Sequence, residues 1–222
     1  QSTEFLLLIV MNSKKIILNL LNILRIAPYF LLAYKTSYLK NIGWQKSVLS
    51  QSSIDKNGSP IPWYTYPILD FLESRLINNT NVFEFGSGNS SFWWAKHASK
   101  VISCEHNPIW IEKIKPLPDN VEIFYKNLDT DYTDFIQEYE NFFDIIIIDG
   151  RKRNECIKNC LNSLKKNGII ILDNSERIKY ETGIQFLNSN GYKQLDFWGM
   201  SPSVHIKSCT SIFYKNENFL EI

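Results

Sequence analysis

Val82–Ala95 reads VFEFGSGNSSFWWA. The run begins as a short apolar strand, turns through Gly86-Ser87-Gly88, and continues as the helix-like SSFWWAKHA. A strand passing through a glycine turn into a helix is the first half of a β-α unit. The two glycines permit positive φ and close backbone approach, and the amides of the helix start face whatever lies above them. A glycine pair alone does not separate a ligand cradle from a tight corner, so the surrounding chain has to decide.

Outward from this run, strand and helix signals alternate. NVFEF, KVISCE, NVEIFY, FFDIIIID and GIIILD read as strands, the last two almost wholly apolar, as strands covered on both faces require. SSFWWAKHA, PIWIEKIK, RNECIKNCLNSLKK and YETGIQFLNSN read as helices between or after them. This alternation predicts an α/β fold with a doubly wound, mostly parallel seven-stranded sheet. YKQLDFW and CTSIFYK leave no room for a helix between them, so they are expected to pair as an antiparallel C-terminal hairpin at one sheet edge.

With 222 residues, 44% hydrophobic and 21% charged, the chain has the composition of a globular protein. A formal net charge of +1 excludes a chain built wholesale to coat nucleic acid, and no nucleic-acid partner is expected. Cys104, Cys156, Cys160 and Cys209 form no CxxC pair and fall in or beside strands or a helix, which points to a reducing, cytoplasmic setting. Cys156 and Cys160 share a helix face, but zinc would need two further soft ligands.

Residues 1–10 precede a methionine and are set aside as an upstream remnant. Residues 11–62 read as a basic, amphipathic helical segment and linker, and residues 63–222 as the domain proper. In the segment, Asn12, Lys15, Asn19 and Asn22 fall on one helical face, with Ile17, Leu20, Leu21 and Leu24 on another. Pro28 ends or kinks that helix. Asn19, Asn22, Arg25 and Pro28 interrupt the apolar run too often for a bilayer span. Between Asn12 and Ser50 there are lysines and an arginine but no Asp or Glu. The segment either docks on the domain or rests on an anionic membrane surface, at the inner face.

Open α/β sheets bind ligands at the carboxyl ends of their strands. A dinucleotide G-x-G-x-x-G would need glycine at Ser91, which weakens a nicotinamide or flavin reading. Glu84, two residues before Gly86, can organise the loop and reach an ammonium group. Glu105 ends the second strand, where a carboxylate can take both hydroxyls of a ribose. Together, E-x-G-x-G-x-S (Glu84–Ser90), the acidic end of the second strand, FFDIIIIDG and LKKNGIIILDN resemble class I S-adenosylmethionine-dependent methyltransferases, over roughly Trp63 to the C-terminus. The resemblance implies S-adenosylmethionine as cofactor, with Gly86 and Gly88 at its methionine part and Ser90 in place of the family's third glycine. It also implies Glu105 on the ribose, Asn127–Asp129 beside the adenine, Asp149 at the cofactor, and PWYTYP (62–67) closing over it.

A narrower resemblance is to divalent-metal O-methyltransferases, through the D-x-x-K of Asp149–Lys152 and the D-N of Asp173-Asn174. It implies Mg²⁺ on Asp149, Asp173 and Asn174, with Lys152 helping to deprotonate an acceptor hydroxyl. Asp149 capping the next helix, Asp173-Asn174 starting a turn, and Arg151–Arg153 clamping a substrate are the alternatives. The loop Trp198–Ser208 joins the last two strands at the cofactor edge, which makes His205 either a candidate general base or an ordinary surface histidine. The expectation is a methyltransferase acting on a hydroxyl of a small molecule or glycan. The competing expectation is a noncatalytic protein of the same fold that binds a nucleotide-like ligand or a partner, peripheral to a membrane.

Overall fold

The computed structural model describes residues 16–34, 36–76 and 79–222. The readings placed on residues 1–15, including Asn12 and Lys15, lie outside the described residues. Seven strands form one sheet: β1 (Asn81–Phe85), β2 (Lys100–Glu105), β3 (Val121–Tyr125), β4 (Phe143–Ile148), β5 (Leu164–Asp173), β6 (Lys193–Gly199) and β7 (Ser208–Tyr214). Their order is β3-β2-β1-β4-β5-β7-β6. The first five pair in parallel, β7 runs antiparallel to both β5 and β6, and strand order reverses between β1 and β4. Helices Asn89–Ala95, Pro108–Lys113, Arg153–Asn159 and Glu181–Ser189 follow β1, β2, β4 and β5.

The two-residue period of the strands divides the core. Phe83, Phe85, Ile146, Ile148, Ile170 and Leu172 face one layer, while Val82, Ile145, Ile147, Ile169, Ile171 and Ile212 face the other. Every side chain of β4 is buried. The isoleucine run is the consequence, since both faces need apolar contact. All four cysteines are free and buried. Trp93 and Trp94 belong to the second layer, so the aromatic helix after the glycine turn is packing.

The helix expected over RNECIKNCLNSLKK stops earlier. It covers Arg153–Asn159, gives way to a 3₁₀ turn at Leu161–Ser163, and LKK becomes the start of β5. Tertiary pairing overrides helical periodicity here: Leu164 registers with Phe143, and the amides of Asn141 and Phe142 donate to the carbonyls of Asn162 and Ser163.

Residues before Trp63 are also part of the packing. Ile42 and Trp44 lie against the second layer, and Trp44 Nε1 donates to the Val204 carbonyl at 2.9 Å. Asn89 Nδ2 donates to Ser52 Oγ and to the Ser53 carbonyl. The segment Trp44–Ser53 is thereby tied to the glycine turn and to the loop between β6 and β7.

Candidate functional site

At the carboxyl ends of β1, β2 and β4 lies a cavity of about 510 Å³, lined on one side by Glu84, Gly86, Ser90 and Glu105 and on the other by Asp149 to Glu155. Two smaller cavities adjoin it. One, of about 240 Å³, lies between the glycine turn, Ser52, Trp63 and Trp110, and the other, of about 280 Å³, lies between Trp63, Asp173, Asn174, Val204 and Ile206. Asp149 lines all three. Trp63 stands between the smaller two, half exposed, with its indole N–H donating to the Pro202 carbonyl. Of PWYTYP, Trp63 lines the two smaller cavities, while Tyr64 is buried in the second layer and Tyr66 begins the helix Tyr66–Glu73.

The glycine turn is held by specific bonds. Gly86 has φ +99°, a left-handed conformation, and lies so close to Gly150 that a Cβ would sit 3.3 Å from its Cα. A side chain at Gly150 would meet the Tyr132 hydroxyl and the Phe85 carbonyl. Gly88 differs from expectation: its φ of 161° is extended backbone open to any residue, and a Cβ there would only touch the Trp110 ring at 3.6 Å. Ser91 does what a third glycine could not. It accepts from the Gly88 amide at 3.2 Å and donates to Glu84 Oε2 at 2.5 Å. Ser103 Oγ adds a second bond to Glu84 at 3.1 Å. Burial pushes the Glu84 carboxyl up to about 7, against the serine hydrogen bonds that lower it. Glu84 therefore organises the turn from beneath.

Glu105 is buried and anchored. Its Oε1 accepts from the amides of His106 and Asn107 at 2.8 and 2.9 Å, while Oε2 holds only longer bonds from the Ser87 amide (3.3 Å) and hydroxyl (3.4 Å). The second oxygen is the one a ligand hydroxyl can claim. Asn107 caps the next helix through Ile109 and Trp110, and Trp110 Nε1 donates back to the Ser87 carbonyl at 2.9 Å. Asn127 is not brought into the cavity lining: its side chain accepts from the Asp129 amide within its own exposed turn.

Beyond β4 the decisive residue is Arg153, which sequence reading treated only as one of a basic run. It is buried, and its guanidinium donates to the Gly150 and Asp149 carbonyls (3.0 and 2.6 Å), to Asp149 Oδ1 (2.9 Å) and to the Asp173 carbonyl. The i,i+4 spacing from Asp149 was its only signal. Asp173 is buried beside Asp149 and accepts from Thr210 Oγ1 at 2.7 Å. Burial, then the charge of Asp149, pushes its carboxyl up to about 8, with Arg153 and Thr210 opposing. The Asp149 carboxyl is also raised by burial, with Arg153 pulling it down.

The expected Mg²⁺ set of Asp149, Asp173 and Asn174 does not fit the ion. The guanidinium already neutralises Asp149, and one Asp173 oxygen is committed to Thr210. Among the described residues no cluster of three His, Cys, Asp or Glu side chains could hold a metal ion. Lys152 sits at the cavity wall, but its ammonium points to Asp129 at 3.8 Å. His205 is exposed and its neighbours Val204 and Ile206 line the cavity in its place. If the metal assignment is absent from the chemistry, a chelator at millimolar concentration leaves the transfer rate unchanged; loss restored by Mg²⁺ would reinstate it.

Residues 83–175 match a family model described as a methyltransferase domain. A search of curated proteins finds no match. Among solved structures, the chain is similar to the spermidine synthase of Thermotoga maritima (18% identity, 71% of this chain and 58% of that one, TM-score 0.52). It is also similar to a precorrin-6y C5,15-methyltransferase from Geobacter metallireducens (17%, 67% and 87%, 0.54) and an rRNA methylase from Streptococcus thermophilus (15%, 67% and 96%, 0.51). The chain spans just over half the length of the spermidine synthases it matches. At these identities the likeness is one of fold. The fold is the Rossmann-like fold of methyltransferases, and residues 83–175, about two fifths of the chain, carry the methyltransferase-domain match. The matched segment runs from β1 to the turn after β5, so it contains Gly86, Glu105, Asp149 and Asp173.

Proposed function

We propose that the protein methylates a hydroxyl oxygen of a small molecule or glycan that carries negative charge. The observation that carries this reading is the convergence of three cavities on Asp149, with Asp173 on the far side from the glycine turn. The residues present suit S-adenosylmethionine: the left-handed Gly86 gives close backbone approach, and Glu105 offers one weakly bonded oxygen to a ribose. Bound there, the cofactor supplies an electrophilic methyl group.

The rest falls to the chain. Methyl transfer needs an oxygen nucleophile held in line and relieved of its proton. A carboxyl with a pKa of about 8 is well matched to take that proton near neutral pH, and Asp173 borders the cavity in which an acceptor would lie. Trp63, Val204 and Ile206 give that cavity an apolar wall. The neighbouring wall of the larger cavity carries Arg151, Lys152, Arg177 and Lys179, all exposed, which favours an acceptor bearing a carboxylate or phosphate.

The test combines calorimetry and product analysis. Saturable binding of S-adenosylhomocysteine, with labelled methyl transferred to anionic hydroxyl compounds and not to their deoxy analogues, is expected. Absence of binding overturns the reading. Binding without transfer to any hydroxyl compound favours a noncatalytic module on this fold.

A further inference from the structure

Residues 16–23 are helical and turn at residues 24–26 into the helix Ala27–Ala33. The Ile26 amide closes the turn on the Leu21 carbonyl at 2.9 Å, and Arg25 takes a left-handed φ of 58°. This hairpin is not buried against the sheet. Twelve large apolar side chains between residues 16 and 34 are exposed, among them Ile23 (80%), Tyr29 (72%), Leu24 (59%) and Leu20 (58%). The docked-helix expectation therefore fails for Ile17, Leu20 and Leu24. A patch of this extent is far beyond the scattered apolar residues of an ordinary surface.

We infer that this hairpin inserts into the surface of an anionic lipid bilayer. Two observations select lipid over a protein partner. First, Ile16, Ile17, Leu18, Leu20, Ile23 and Leu24 are all exposed, and at 100° per residue they cover an arc of about 220°, leaving a narrow polar strip at Asn19 and Asn22. A protein partner covers one stripe of a helix, whereas a bilayer surface takes a broad apolar face and leaves the polar strip to the headgroups. Second, the charge around the hairpin is of one sign. Residues 12–50 hold six of the 24 basic residues (Lys14, Lys15, Arg25, Lys35, Lys40, Lys46) and none of the 23 acidic ones. Exposed apolar side chains in a stretch of sequence whose charges are all positive fit an anionic headgroup layer.

No helix of the described residues is long and apolar enough to cross a membrane. Tyr29 and Tyr34 supply the amphipathic rings that favour the headgroup boundary. The hairpin is also joined to the domain. Gln45 Nε2 and Ser37 Oγ both donate to the Leu32 carbonyl at 2.7 Å, and Trp44, beside Gln45, is pinned to Val204 at the rim of the acceptor cavity.

Vesicle flotation of the full chain tests this, because it separates lipid-bound protein from aggregate. The protein should float with phosphatidylcholine vesicles containing about 30 mol% phosphatidylserine, and about tenfold less with phosphatidylcholine alone. A Leu20→Glu/Ile23→Glu/Phe30→Glu variant should remain at the bottom of the gradient with unchanged circular dichroism. Tyr29→Trp should show a blue-shifted emission with the anionic vesicles. Failure of the wild type to float on either vesicle overturns the inference, as does equal flotation of the triple variant. A lipid-free dimer in sedimentation velocity that the triple variant dissociates would assign the face to a second copy instead. None of these readouts depends on methyl transfer.

Discussion

Glu105→Ala is expected to weaken S-adenosylhomocysteine binding about 100-fold, the loss of a charge-assisted hydrogen bond from a ribose hydroxyl to Oε2 at roughly 3 kcal/mol. Glu105→Gln keeps the shape and one acceptor, and should lose about tenfold. The asymmetry of the bonds at Glu105 is the reason. Oε1 is fixed by two short amide bonds, which aim the carboxylate, while the weaker Ser87 contacts leave Oε2 available. The alanine variant also leaves the amides of Ser87, His106 and Asn107 without their acceptor, so its melting temperature should fall as well. Calorimetry at matched folded fraction separates the two effects. Unchanged affinity in a folded Glu105→Ala protein would remove the ribose from this position.

How much of this was legible in the sequence follows from the range of each signal. The parallel core was legible because FDIIII and GIIILD must be covered on both faces, and the edge hairpin because too few residues separate YKQLDFW from CTSIFYK for a helix. Glu105 and Gly86 could be placed because strand ends and glycine turns are local features. What escaped depends on contacts between distant segments. The bridge from Arg153 to the carbonyls after β4 and β5 exists only once those strands are adjacent. Ser91 could be scored as a missing glycine but not as the link between the Gly88 amide and Glu84. In the loop after β6, chain position put His205 at the correct edge, yet Val204 and Ile206 line the cavity while His205 is exposed. Amphipathicity of residues 16–24 could be read too, but not what their apolar side chains meet.

Asp173→Asn should lower kcat by about 10²–10⁴, the usual worth of a positioned general base, while leaving S-adenosylhomocysteine affinity within twofold of wild type. The wild-type rate should rise with pH and level off above about 8, because the carboxyl must be ionised to accept a proton and its burial beside Asp149 holds it protonated below that. The same shift sets a stability trend. Unfolded, this carboxyl titrates near ~3.9, so between there and about 8 the native state keeps a proton that the unfolded chain has released. Its contribution to stability is present at acid pH and is lost as pH rises through about 8. Asparagine carries no charge to desolvate, so the variant should lose this part of the pH dependence and melt higher than wild type at pH 9. Activity and alkaline stability thus move in opposite directions at one residue, which a role in packing alone does not produce. A variant retaining more than a tenth of wild-type kcat, or a rate profile flat from pH 6 to 9, would take the proton-accepting role away from Asp173.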